Sequence, residues 1–145
     1  MKTNHEIDFY IHGEEMQYVE IELDPQETAI AEAGAFMYMD DGIQMETIFG
    51  DGSVQQKGFM GKLLNAGKRL LTGESLFMTA FTHHGYNKAK VAFASPYPGK
   101  IIPLDLAQYQ GKIICQKDAF LCAAKGVAIG IEFQKKLGTG LFGGE

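Results

Sequence analysis

Apolar and polar residues alternate with period two over several short runs of this chain. Ile7, Phe9 and Ile11 alternate with Asp8, Tyr10 and His12; beyond a turn near Gly13, Val19, Ile21 and Leu23 alternate with Glu20, Glu22 and Asp24. Successive side chains of a strand point to opposite faces, so each run predicts a half-buried strand and the two together an opening hairpin. Ile43, Met45, Thr47 and Phe49 are expected to share one face, with Gln44 and Glu46 on the other. Val127, Ile129, Ile131 and Phe133 repeat that design opposite Ala128, Gly130, Glu132 and Gln134. Further strands are expected in "SLFMTAFT" (75–82), "KAKVAFA" (88–94), "KIIPLDL" (100–106) and "GKIICQ" (111–116). In the first of these, Leu76, Met78 and Ala80 face one way and Phe77, Thr79 and Phe81 the other, so that strand should be covered on both faces. Turn chemistry falls at Asp24-Pro25, Asp40-Asp41-Gly42, Pro96 to Gly99 and Lys125-Gly126.

The pattern also repeats. "AFMYMDDGIQMETIF" from Ala35 aligns without a gap on "AFLCAAKGVAIGIEF" from Ala119, pairing Phe36 with Phe120, Gly42 with Gly126 and Phe49 with Phe133. Backward, Ile30 meets Ile114; forward, "GKRLLTGE" (67–74) meets "GTGLFGGE" (138–145). This reads as a duplicated β unit, the first copy over about 19–98 and the second, incomplete, over about 99–145 of a single domain. Gly73-Glu74 and Gly144-Glu145 are then a repeated structural turn, whose carboxylates cap backbone N–H groups rather than form a catalytic pair. Strands follow Glu74 and none follow Glu145, so the second copy is expected to find its missing neighbours in another chain. Phe36, Phe49, Phe120, Ile129, Ile131 and Phe133 are the expected core.

One segment departs from period two. In "KGFMGKLLNAGKRLLTGE", Leu63, Leu64, Gly67, Leu70 and Leu71 follow helical spacing, with Lys62, Lys68 and Arg69 off that stripe. A short amphipathic helix is predicted near 59–71. Phe59, Leu63, Leu64, Lys68 and Arg69 make it a candidate for membrane or partner contact, against the simpler reading that it covers the open end of the β structure.

Composition narrows the function classes. The 145 residues carry a net charge of −5, with 46% hydrophobic and 21% charged residues, as in an ordinary globular domain. An acidic balance argues against nucleic acid as a partner. The N-terminus has no signal or transit character, which predicts a cytoplasmic protein. Cys115 and Cys122 lack framework or CxxC spacing and are expected as reduced, buried small hydrophobes. His83 and His84 are adjacent on a strand, hence on opposite faces, and read as surface turn histidines. No His, Cys or acidic set has metal-ligand spacing, so neither metal nor cofactor is expected. "GKLLNAGKR" (61–69) has five residues between its glycines and Arg69 after Lys68, which is not a phosphate loop.

"AGAFMYMDDGIQME", "LLTGESLFMTAFT" and "DAFLCAAKGVAIGIE" together resemble the twice-repeated signature of the altered-inheritance-of-mitochondria family. The resemblance runs from about Val19 to Glu145. It implies a two-sheet β fold similar to that of the tryptophan RNA-binding attenuator protein, a homo-oligomer, and no established enzymatic activity. It also implies a chain shortened at its C-terminus, since members of that family are longer. The expectation is an all-β sandwich or barrel-like domain with one short helix. Its expected role is that of a non-enzymatic oligomeric scaffold or interaction protein with peripheral membrane contact. The alternative is a small-molecule binding module with its site between strands or at a subunit interface.

Overall fold

In a computed structural model of the chain, the structure describes residues 5–49, 77–116 and 118–130. Eight strands form two antiparallel sheets: β1 (Asp8–His12), β2 (Tyr18–Leu23), β3 (Thr28–Ala31), β4 (Phe36–Met39), β5 (Ile43–Phe49), β6 (Phe77–His83), β7 (Ala89–Ala94) and β8 (Cys122–Ala124). The first sheet has the order β1-β2-β7-β4 and the second β5-β6-β3-β8. The helical elements among the described residues are short 3-10 turns at Ala33–Ala35 and Leu106–Tyr109. The all-β, two-sheet expectation therefore holds. The amphipathic helix near 59–71 lies outside the described residues.

The chain changes sheets at most of its short connections, which makes the sandwich close at its corners. Between β2 and β3 the turn is tightened by Gln26 at φ 72°, and the Glu27 carboxylate accepts the Asp24 N–H at 2.8 Å. Gly42 at φ 86° carries the chain from β4 to β5, a left-handed conformation that a side chain resists. The opening hairpin forms as the alternation predicts, in the register Ile11 opposite Val19 and Phe9 opposite Ile21.

Core residues come from the inward faces of both sheets. Val19, Ile21 and Leu23 of β2 lie opposite Phe93, Val91 and Ala89 of β7, and all six are buried. Across from them lie Ala29, Ala31, Ile43 and Phe81 of the second sheet. Phe81 is the centre: its ring meets Phe93 edge-on at 5.0 Å and stacks on Phe36 at 5.5 Å. The opposite face of the second sheet is closed as well, with Ile30, Met78 and Ala80 all buried. That agrees with a β6 strand covered on both sides.

Several expectations need correction. Phe36, Phe120 and Ile129 are half-buried rather than central; Phe36 packs against the cluster from its rim. Ile131 and Phe133, and the side chain of Phe49, lie outside the described residues. On β5, Ile43 is buried, but Met45, opposite Phe81, is 45% exposed and Thr47 is also exposed, as β5 is an edge strand of its sheet among the described residues. Segments 100–106 and 111–116 form no strands. Pro103 has no N–H to give a ladder, and Asp105 instead accepts the Ala107 N–H at 3.1 Å to start a 3-10 turn. Gln110 and Gly111 then take positive φ, 57° and 84°, which reverses the chain just where the second run was expected to begin.

The two aligned segments share a turn, but the strands that lead into it lie in different sheets. Gly126 has φ 105°, matching the sign of Gly42. Yet β4 pairs with β7 in the first sheet, whereas β8 pairs with β3 in the second. Ile114 is 66% exposed where its aligned mate Ile30 is buried.

Candidate functional site

Phe59, Leu63, Leu64, Lys68, Arg69, Gly73, Glu74, Gly144 and Glu145, the residues that sequence patterning singles out, lie outside the described residues. The densest polar constellation among those described is on the outer face of the first sheet. It is a by-product of alternation: with Val19, Ile21 and Leu23 turned inward, Tyr18, Glu20 and Glu22 must point out. On β7 the same logic turns Lys90 outward beside Glu22 and Ala92 beside Glu20.

Glu20 is the hub. Lys90 Nζ lies 2.8 Å from its Oε1, and the Tyr38 hydroxyl donates to its Oε2 at 2.7 Å. His12 Nε2 stands 3.9 Å from Oε1, and the His12 ring stacks on Tyr18 at 4.8 Å. Tyr18 in turn meets Tyr38 edge-on at 6.5 Å. The Lys90 and Tyr38 hydrogen bonds hold the Glu20 carboxyl below its ordinary value. The same carboxylate pushes the Tyr38 phenol up and raises Lys90. One strand end away, Lys88 Nζ reaches Glu22 at 2.8 Å, Asp8 at 3.5 Å and Asp24 at 3.9 Å, and the bond to Glu22 raises its ammonium as well.

These shifts decide what the face can do. Both Glu20 oxygens are engaged and its basicity is reduced, so it is a poor general base. A phenol and an ammonium held in their protonated forms are poor nucleophiles. The face is a network of paired charges and aromatic rings. Among the described residues no cluster of three or more His, Cys, Asp or Glu is arranged to hold a metal ion. No described helix is long and apolar enough to cross a membrane.

His83 departs from the surface-turn expectation. It is buried at 3% exposure, while His84 is exposed. The reason is strand parity: His83 shares the inward face of Phe81 and lies opposite Ile43. Its Nε2 donates to the Asn87 carbonyl, and its Nδ1 accepts the Gly85 N–H at 3.3 Å. The ring thereby fills the corner between the Gly42 turn and the 84–88 turn. The cysteines also differ from expectation. Cys115 is exposed, because its segment joins no sheet. Cys122 is half-buried on β8, and burial pushes its thiol up to about 12.

Sequence patterning supplied the alternation that exposes Glu20 and Lys90, but not the register that brings them together. The available signal was the facing of acidic β2 (Glu20, Glu22) with basic β7 (Lys88, Lys90), legible only once the two strands are known to be neighbours.

Comparison with known proteins bears on the whole chain. An uncharacterized protein of Streptococcus pyogenes serotype M6 is 30% identical over 129 residues, covering 88% of this chain and 48% of that protein. The chain thus spans about half the length of this relative. A crystal structure of another Streptococcus pyogenes protein is similar at 24% identity and a TM-score of 0.45, over 67% of this chain and 41% of that one. The family model described as Mitochondrial biogenesis AIM24 matches residues 9–145, and with that extent of match the chain belongs to this family.

Proposed function

We propose that this chain is a non-enzymatic β scaffold that works by assembling with further copies of itself. The observation that carries the reading is the corner where β4 leaves the first sheet and β5 enters the second. Both are edge strands among the described residues, and both carry exposed methionines, Met37 and Met39 on β4 and Met45 on β5. Edge strands offer unpaired backbone groups to a partner, and methionine adapts to irregular contact surfaces. The charge-paired outer face of the first sheet supports a binding role over a catalytic one. The duplicated unit belongs to the same reading, supported by the aligned turn glycines Gly42 and Gly126, both at positive φ; the attenuator-protein-like organisation and a cytoplasmic site of action are part of it as expectations from the sequence. Peripheral membrane contact is supported by the sequence pattern of Leu63 and Leu64 beside Lys68 and Arg69.

Light scattering over a tenfold dilution series tests the assembly. The expected mass is a multiple of the chain, falling toward a single chain in a Met37→Glu/Met45→Glu variant. A monomer mass at every concentration overturns it. Flotation with anionic vesicles, lost on Leu64→Glu, tests the membrane contact separately.

A further inference from the structure

At the start of β3 the backbone ladder contains a foreign member. β3 and β8 are antiparallel, with Ala29 opposite Ala124 and Ile30 opposite Ala123, so Thr28 comes opposite Lys125. Such a pair would exchange two N–H···O bonds directly. One is made: the Lys125 N–H donates to the Thr28 carbonyl at 3.0 Å. The other is relayed through His5. The Thr28 N–H donates to His5 Nδ1 at 3.0 Å, and the His5 N–H donates to the Lys125 carbonyl at 2.9 Å.

From this we infer that His5 is a proton-controlled strap. With Nδ1 unprotonated, the imidazole sits in the ladder and ties residues 5–7 to the second sheet. A proton on Nδ1 replaces the lone pair that the Thr28 N–H needs, and the strap withdraws. Withdrawal leaves no backbone group orphaned, because the Thr28 N–H can then close directly on the Lys125 carbonyl. Both states satisfy the ladder, which is what lets a single proton choose between them.

The strap spans the two layers. Residues 5–7 run from the β3–β8 edge of the second sheet to the start of β1 in the first, and Ile7 packs against the inter-sheet core on the way. Opening it uncovers that flank of the sandwich. The titratable and charged groups on the surrounding elements are few. Glu27, next to Thr28, has its carboxylate on the Asp24 N–H. Lys125 contributes its main-chain groups, and Glu6 and Asp8 flank the strap in sequence. His83, next to Thr82 at the same end of β6, has its Nδ1 on the Gly85 N–H at 3.3 Å and 3.4 Å from the Gly42 carbonyl.

The test is nuclear magnetic resonance of the 15N-labelled chain at about pH 7.5 and about pH 5. At the higher pH we expect a nitrogen–nitrogen coupling across the Thr28 N–H···Nδ1 bond and rigid amides at residues 5–7. At the lower pH we expect the coupling to vanish and those amides to become mobile on the picosecond–nanosecond scale, while the Thr28 and Lys125 amides stay protected. His5→Asn keeps an acceptor oxygen near the Nδ1 position without a titratable proton, and should leave residues 5–7 rigid at both values. Absence of the coupling at the higher pH, or equal order of residues 5–7 at both values in the unmodified chain, overturns the inference. So does the same acid-induced release in His5→Asn. The coupling is read on the unmodified chain, so the result does not depend on the variant folding.

Discussion

The Tyr38 hydroxyl reaches Glu20 Oε2 at 2.7 Å by passing over Ala92. Ala92 is the register partner of both, Glu20 on β2 and Tyr38 on β4, and it is fully buried beneath them. A methyl group is what allows side chains from the two flanking strands to meet across the one between. Tyr38→Phe should lower stability by about 0.5–1 kcal/mol, the range for a hydrogen bond to a charged group reduced for exposure. Chemical denaturation measures this. In Glu20→Gln, alkaline absorbance titration should show one tyrosine ionising at lower pH than in the unmodified chain. An unchanged tyrosine titration would remove Glu20 as the cause of the raised phenol.

The Glu20–Lys90 pair sets a pH window. The folded carboxyl lies below its ordinary value of 4.5, so its contribution is present above that value and lost as pH falls through the lowered one. Lys90 is raised from 10.5, so its contribution is present below that value and lost as pH rises through the raised one. Denaturation midpoints of Glu20→Gln should therefore trail the unmodified chain near neutrality and converge with it as pH falls below the ordinary carboxyl value of 4.5. A deficit that stays constant over that range would mean the carboxylate's charge contributes nothing.

Phe81 is fully buried and touches two rings of the facing sheet, Phe93 at 5.0 Å and Phe36 at 5.5 Å. Phe81→Ala should cost about 3–5 kcal/mol, and the rim residue Phe36 distinctly less. Urea denaturation of the two variants side by side tests the ranking; equal costs would contradict the placement of Phe81 at the centre.

Pattern reading missed that ranking, naming Phe36 and not Phe81 as core, but it succeeds elsewhere. Alternation placed Val19, Ile21 and Leu23 inward and correctly marked β6 as covered on both faces, because period two is a property of the chain itself. It put Met45 on the same face as Ile43, and the register agrees, with Met45 opposite Phe81; yet Met45 is 45% exposed, because parity states which face a side chain takes, not how well an edge strand is covered. His83 was misread for the converse reason. Its polar chemistry suggested a surface turn, while its parity with Phe81 had already assigned it inward. The runs 100–106 and 111–116 have strand-like composition, but a strand needs a partner, and Pro103 and the positive φ values at Gln110 and Gly111 deny them one. Glu20, Tyr38 and Lys90 become a constellation only through register, which is a non-local property.

The two thiols should separate cleanly. Cys115 is exposed, while the Cys122 thiol is pushed up to about 12 by burial and holds almost no thiolate at neutral pH. Alkylation of the folded chain near pH 8 should label Cys115 first, as read by peptide mass, with Cys122 labelled only on unfolding. Cys115→Ser should abolish the fast phase. Equal rates in the native chain would show that β8 opens as readily as the segment before it.

Gly85 and His83 should be coupled. A Cβ on Gly85 would come within 2.6 Å of His83 Cε1, closer than carbon atoms approach without something moving. The ring has little freedom to yield, since its Nε2 is held by the Asn87 carbonyl and Ile43 lies across from it on β5. Gly85→Ala should therefore destabilise by roughly 1–3 kcal/mol, as overpacking of a full site does. His83→Ala should also destabilise, by roughly 1–3 kcal/mol, because it removes a buried ring and its hydrogen bonds. With the ring already gone, the methyl group at position 85 has room, so the double variant should cost clearly less than the two single costs combined. Denaturation midpoints for the four proteins close the cycle. Additive costs would mean that the Gly85 turn moves freely away from the ring, and that His83 does not brace the corner between the Gly42 and Gly85 turns.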